Sequence, residues 1–185
     1  MALRHGVSGW ARSAWWIYGA AGALLCAVYF ALPKGSFTQS LLYDVIGQSA
    51  VAVTILGIRL HKPLRDAPWR LFAIGTFLAS GADCLWSAYD AFVGGDPPFP
   101  WIADWPYLAS YLFLGGGVLW LARLRRPGGD REAFLDGLMV TVGAGALAWV
   151  FLMDPYVRDA TLGPLATLVA IAYPAMDLLL LGIAI

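Results

Sequence analysis

The sequence predicts an all-α fold: a polytopic bundle of about six transmembrane helices, forming one multipass domain over residues 1–185. Three observations carry this. Hydrophobic residues make up 60% of the chain and charged residues 13%, against about 25% charged in an ordinary soluble domain. Six apolar stretches approach the roughly 20 residues that a spanning helix needs. The charges gather between those stretches, as they do when the stretches lie in lipid.

The helices are expected over residues 14–32, 41–60, 71–92, 107–122, 134–153 and 165–185. Loop-forming dipeptides punctuate them at Pro33-Lys34-Gly35, Lys62-Pro63, the Gly94–Pro98 run, Pro127-Gly128-Gly129, Asp154-Pro155 and Gly163-Pro164. The first segment starts basic, but its apolar run is long and no clean small-residue cleavage site follows. It therefore reads as a retained helix rather than a signal peptide.

Arg4, Arg12, Arg59, Lys62, Arg65, Arg70, Arg123, Arg125, Arg126 and Arg131 fall on one side of this map. Only Lys34 and Arg158 fall on the other. The bias alternates correctly across every connection, so the richer side, with the N-terminus, is expected in the cytoplasm of a cell whose plasma membrane holds the protein. Trp15, Trp16, Trp69 and Trp120 mark the inner helix ends. Tyr43, Tyr89, Trp101, Trp105, Tyr107 and Tyr156 mark the outer ones, as an aromatic belt does.

The last residues, Leu178 to Ile185, still lie in an apolar run with no basic flank. The expectation is a fragment of a longer protein or a truncated gene, the alternative being a short C-terminus at the inner face.

Ionisable groups inside spans cost about 2.5–3.5 kcal/mol each on insertion scales and usually face the bundle interior. Asp83 and Asp90 share one helix face with Trp86 and Ser87 between them. They either line a polar pocket open to the outside, or leave Asp90 solvated and Asp83 bonded to a neighbouring helix. Asp177 lies near the middle of the sixth segment, three residues after Pro174. That proline frees the Ala170 carbonyl. A kink beside a carboxylate is either a ligand or proton site or a carboxylate bonded to a helix partner such as Tyr or Trp. Asp136 sits at the start of the fifth helix, where the helix dipole favours a carboxylate. Gly19 with Ala23, Gly115–Gly117, and Gly143 with Gly145 are expected at close helix approaches.

The charge balance of twelve against twelve points to no nucleic-acid partner. Cys26 and Cys84 lie in apolar runs and read as small apolar side chains. His5 and His61 lie in basic stretches outside the helix cores, away from where a haem would sit. No nucleotide, nucleophile-elbow or zinc-protease motif occurs. No cofactor, metal or catalytic group is therefore expected in this chain, and its first partner is the lipid bilayer.

Three phrases occur in order: Ala103-Asp-Trp-Pro-Tyr-Leu-Ala-Ser-Tyr111, then Asp136-Gly-Leu-Met-Val-Thr-Val-Gly-Ala-Gly145 running to Trp149-Val-Phe-Leu-Met-Asp-Pro155, then Ala172-Tyr-Pro-Ala-Met-Asp-Leu-Leu-Leu-Leu181. Over roughly residues 70 to 185 the chain resembles the N-terminal multipass membrane region of bacterial, especially actinobacterial, cyclic-di-GMP signalling proteins that carry GGDEF and often EAL domains. The resemblance implies a sensory or anchoring membrane module, followed in a full-length protein by further helices and cytoplasmic signalling domains. It admits a second copy of the chain as a partner. No catalytic residue of those domains maps here. The membrane pattern maps onto Asp104, Tyr107, Tyr111, Asp136, Tyr173, Pro174 and Asp177. That family often has Tyr-Pro in the fourth helix, whereas Leu112 follows Tyr111 here.

Three functions are weighed on these residues. The first is a sensor whose helices rearrange around Asp83, Asp90 or Asp177. The second is a small transporter or channel subunit using the aspartates as an ion path. The third is a lipid-acting enzyme with Asp83 and Asp90 as a carboxylate pair.

Overall fold

The computed structural model describes residues 9–125 and 131–184, all of whose regular structure is helical. Helix α1 spans Gly9–Ala31, α2 Phe37–His61, α3 Ala67–Phe92 and α4 Asp104–Arg125. Helix α5 spans Arg131–Ala148 and runs through a π-helical turn, Trp149–Met153, into α6, Asp154–Arg158. Helix α7 spans Pro164–Ala184. Arg4, His5, Arg126 and the Pro127–Gly129 loop lie outside the described residues.

Among the described residues, five helical stretches are long and apolar enough to cross a membrane: Phe37–His61, Ala67–Phe92, Asp104–Leu124, Leu135–Arg158 and Pro164–Ala184. A shorter apolar helix, Trp15–Ala31, accompanies them. The chain is thus a helical bundle of about six apolar elements, as the hydropathy pattern predicts.

Several helices begin earlier than the apolar runs, because polar capping residues add a turn. Ahead of α2, the Ser36 hydroxyl accepts the Gln39 N–H at 3.2 Å, and the Gln39 side chain accepts the Gly35 N–H at 2.9 Å. This variant of a capping box satisfies two amides that the helix leaves open. Helix α4 starts at Asp104, three residues before the expected Tyr107. Pro106 falls in its first turn, where no N–H is required, so the proline that reads as loop is compatible with helix.

The Asp154-Pro155 pair corrects a second expectation. It does not end the fifth helix in a loop; the helix continues to Arg158. Pro155 has no N–H to give to the carbonyl of Phe151. The strand of hydrogen bonds adapts by widening: the Asp154 N–H reaches back to the Trp149 carbonyl, five residues away. One extra residue in the turn absorbs the missing donor, which is how a π turn keeps a helix continuous.

Contacts divide the chain into two compact units, Met1–Ile46 and Gly47–Ile185. Within the first, the Gln39 side-chain amide donates to the Tyr29 carbonyl at 3.2 Å, and Gly19 has open space around it rather than a close helix neighbour. Within the second, α3 packs along α4, α4 against α7, and α7 against α5, the π turn and α6. The buried residues there are mostly small, among them Ala73, Ala82, Ala103, Ala148, Ala166 and Ala170. Lipid offers no hydrophobic drive for helices to associate, so close van der Waals approach across small residues replaces it.

Glycines set the closest approaches. A Cβ on Gly75 would lie 2.7 Å from the Leu114 side chain, and one on Gly117 2.7 Å from the Phe72 ring. These pairs place α3 antiparallel to α4. Gly115 lies under Leu180 and Ile183, which places α7 parallel to α4. Gly143 is open instead, and Gly145 makes only an ordinary contact with Leu178. The expectation of a close approach at Gly143 is therefore corrected; on α5's neighbour the tight position is Gly182, against Thr141.

Candidate functional site

The polar side chains of the second unit converge on α4. Asp104, Tyr107 and Tyr111 are spaced three and four residues apart, so they form one stripe on that helix. Each reaches a different partner. The Asp104 carboxylate accepts the Trp101 N–H through Oδ2 at 2.6 Å and the Tyr173 hydroxyl of α7 through Oδ1 at 2.6 Å. It is 8% exposed, and its place in the first turn of α4 suits a carboxylate, since the open amides of a helix start carry partial positive charge. The Tyr107 hydroxyl donates to Asp83 on α3. The Tyr111 hydroxyl bonds Asp177 on α7.

Three tyrosine–aspartate bonds thus tie α3 to α4 and α4 to α7. The α4–α7 pair is reciprocal: each helix contributes one acid and one phenol. Asp83 and Asp177 each bond a tyrosine of a neighbouring helix, one of the two arrangements open to them from the sequence. Ser110, 3% exposed within this seam, donates to the Tyr107 carbonyl at 2.6 Å and so satisfies itself within its own helix. Beside it, the Gln48 amide of α2 donates to the Ser80 hydroxyl of α3 at 3.1 Å and lies 3.5 Å from the Cys84 sulfur.

The structure brings together seven of the residues singled out in the sequence: Asp83, Asp104, Tyr107, Tyr111, Tyr173, Pro174 and Asp177. It does not gather the others. Trp86 and Asp90 are exposed on α3, and Asp136 is exposed near the start of α5.

Pro174 is buried and Asp177, one turn further on, is exposed. The reason is a groove between the two irregular points of the unit. Pro174 of α7 faces the stretch of α5 and α6 that contains the π turn. One groove, about 420 Å³, is lined by Phe99, Leu152, Tyr156, Tyr173, Pro174 and Asp177 among others. A second, about 440 Å³, shares Leu152, Pro174 and Asp177 and continues past Ala148 and Phe151 to Leu178 and Leu181.

Sequence reading missed Tyr156, Phe99 and the π turn as parts of this site. The signal available for the last was Asp154-Pro155 inside an apolar run. Nothing local marks Phe99, which a loop delivers. Chemically, carboxylates and phenols bonded in this way can exchange hydrogen-bond partners, hold a proton or face a cation. Among the described residues, no group of three His, Cys, Asp or Glu side chains is placed to hold a metal ion.

Five helices long and apolar enough to span a bilayer mark this as a multipass helical membrane protein. The chain matches no protein-family model, no curated protein and no solved structure.

Proposed function

We propose that this chain is the sensory or anchoring membrane module of a bacterial signalling protein, set in the cell membrane with its N-terminus in the cytoplasm. The observation that carries the reading is the reciprocal pair of tyrosine–aspartate bonds between α4 and α7. A sensor needs an element with two arrangements that a stimulus weighs unequally. Interhelical polar bonds in membranes average about 0.6 kcal/mol and reach about 1.7. Two such bonds favour one arrangement of α7 on α4 without making it irreversible. Helix α7 runs from the expected outer face toward the inner one, so a shift at Tyr173 or Asp177 is delivered to the cytoplasmic side. The ten-to-two distribution of basic residues supports that orientation.

The resemblance of residues 70 to 185 to cyclic-di-GMP signalling proteins supports the same reading, and supplies cytoplasmic domains as its output. Five of the seven positions of that pattern, Asp104, Tyr107, Tyr111, Tyr173 and Asp177, take part in the seam, together with Asp83, which the pattern lacks, while Asp136 lies outside it. A second reading, a transporter or channel subunit, is favoured by one observation: Asp177 opens into a groove between a proline and a π turn, as ion sites at interrupted helices do.

Spin labels at Leu112 on α4 and Leu179 on α7, in a background without Cys26 and Cys84, separate the two. In lipid nanodiscs the sensor reading expects two distance populations, with their ratio changed by Tyr173→Phe. A single population unmoved by Tyr173→Phe, together with proton or cation flux into liposomes that Asp177→Asn abolishes, overturns it in favour of transport.

A further inference from the structure

We infer that the groove between Pro174 and the π turn binds an amphipathic organic monocation, an alkylammonium or quaternary ammonium group on an apolar body, with the Asp177 carboxylate as its counter-ion.

The charge argues for the head. Among the described residues, Asp177 is the only carboxylate lining either groove, and no Lys, Arg or His lines them. It is exposed to the groove although it lies about 20 Å along α7 from Pro164. Its bond to Tyr111 uses one acceptor site, and an ionised carboxylate has about four. An anion is repelled here, and a phosphate finds no basic side chain. A divalent metal needs more oxygen ligands than one carboxylate gives.

The rings argue for the kind of cation. Phe99, Tyr156 and Tyr173 line the same groove as the carboxylate. Aromatic faces attract cations, and do so best when the cation gives up water easily, as quaternary ammonium does. The second groove argues for the tail. From Asp177 it continues along Ala144, Leu147, Phe151, Leu178 and Leu181, an apolar trough with room for a hydrocarbon chain. Entry is from the end that carries the loop before α4, since Phe99 belongs to that loop and Tyr156 to α6.

This inference deepens the sensor reading by naming its ligand class, and rests on that reading only for what binding causes. The test uses the full chain in nanodiscs and a decyltrimethylammonium probe carrying a photoreactive diazirine on its chain. Saturable labelling is expected on peptides containing Leu147–Tyr156 and Tyr173–Leu181, displaced by decyltrimethylammonium and not by 1-decanol. Asp177→Asn is expected to weaken labelling at least tenfold. Asp177→Glu is expected to keep it within about threefold, and Asp96→Asn, in the exposed loop, to leave it unchanged. If Asp177→Asn does not fold, the discrimination between the cation and 1-decanol on the unaltered chain decides. Equal competition by 1-decanol, or equal labelling of a folded Asp177→Asn protein, overturns the proposal. Nanodiscs of phosphatidylcholine and of phosphatidylglycerol distinguish the source: suppression by phosphatidylcholine assigns the site to a lipid headgroup, and equal labelling in both assigns it to a free cation. Binding with no change in the α4–α7 distances keeps the site and removes the sensor; absence of binding with two distance populations does the reverse.

Discussion

Helices α4 and α5 are both apolar and long, yet they are held in different ways. Helix α4 has neighbours on two sides, with Gly75, Gly115 and Gly117 at its contacts and three of its polar side chains, Asp104, Tyr107 and Tyr111, bonded to side chains of α3 or α7. Helix α5 presents Leu138, Met139, Val140 and Val142 to its surroundings, and its Gly143 meets nothing. The sequence signs are alike: glycines, alanines and one aspartate in each. The difference lies in spacing. On α4 Asp104, Tyr107, Tyr111 and Gly115 recur at three and four residues and so line one face turn after turn, while on α5 Asp136 and Gly143 also share a face but the turn between them carries Met139 and Val140, large and exposed. A polar or small residue fixes a membrane helix only when its neighbours along the same face do so too.

The comparison can be broken most directly at the glycines. Gly117→Ala places a methyl against the Phe72 ring, and Gly75→Ala places one against Leu114, including its backbone nitrogen at 3.2 Å. Each is expected to destabilise by about 1–3 kcal/mol as overpacking. Gly143→Ala is expected to be neutral or stabilising by up to about 1 kcal/mol, through helix propensity alone. Unfolding in bicelles by steric trapping measures all three. A large loss at Gly143 instead would mean that the α5 face is covered.

The polar bonds sharpen it further. Asp104→Ala strands the Tyr173 hydroxyl and the Trp101 N–H together, so the same measurement should show a loss of about 1–3 kcal/mol, the cost of leaving buried partners unsatisfied. Tyr107→Phe, which removes one bond to Asp83 and little volume, should cost about 0.6 kcal/mol. Equal losses would show that the acid end of α4 has no special place in the seam.

The smallest effect concerns the loop before α7, outside the spans. The Thr161 hydroxyl donates to Asp159 Oδ1 at 2.6 Å and its N–H donates to the same oxygen at 2.9 Å. Both favour the charged carboxylate and hold Asp159 below the ordinary aspartate range. A lowered folded value stabilises the turn above the unfolded pKa, and that contribution fades as pH falls through the folded one. Thr161→Ala should raise the Asp159 midpoint in a carbon-detected NMR titration while leaving the α4–α7 seam untouched.

Much of this fold was legible in the sequence. The apolar runs placed the helices, because spanning length and hydropathy are local properties. Asp83 and Asp177 stand out in the sequence because a carboxylate in lipid demands a partner; Asp104, Tyr107, Tyr111 and Tyr173 were pointed to by the resemblance alone. The partners themselves were not legible: Tyr107 with Asp83 and Tyr173 with Asp104 depend on which helices adjoin, a long-range matter. Asp154-Pro155 misled for a specific reason. Proline usually ends a helix, and only the widened turn that lets Asp154 reach Trp149 allows this one to continue.

The order of acid and phenol along α4 and α7 has a consequence for how the two helices find each other. Helix α4 offers Asp104 and then Tyr111, while α7 offers Tyr173 and then Asp177. Slide α7 by one turn in one direction and Asp177 comes up beside Asp104, two acids with no phenol between them. Slide it the other way and Tyr173 comes up beside Tyr111, two phenols with no acid between them. The alternation works as a keyed coupling: apolar stripes alone tolerate a slip of one turn, but these four side chains mate in a single alignment. A chain that inserts its helices before they assemble can thus recognise the correct one.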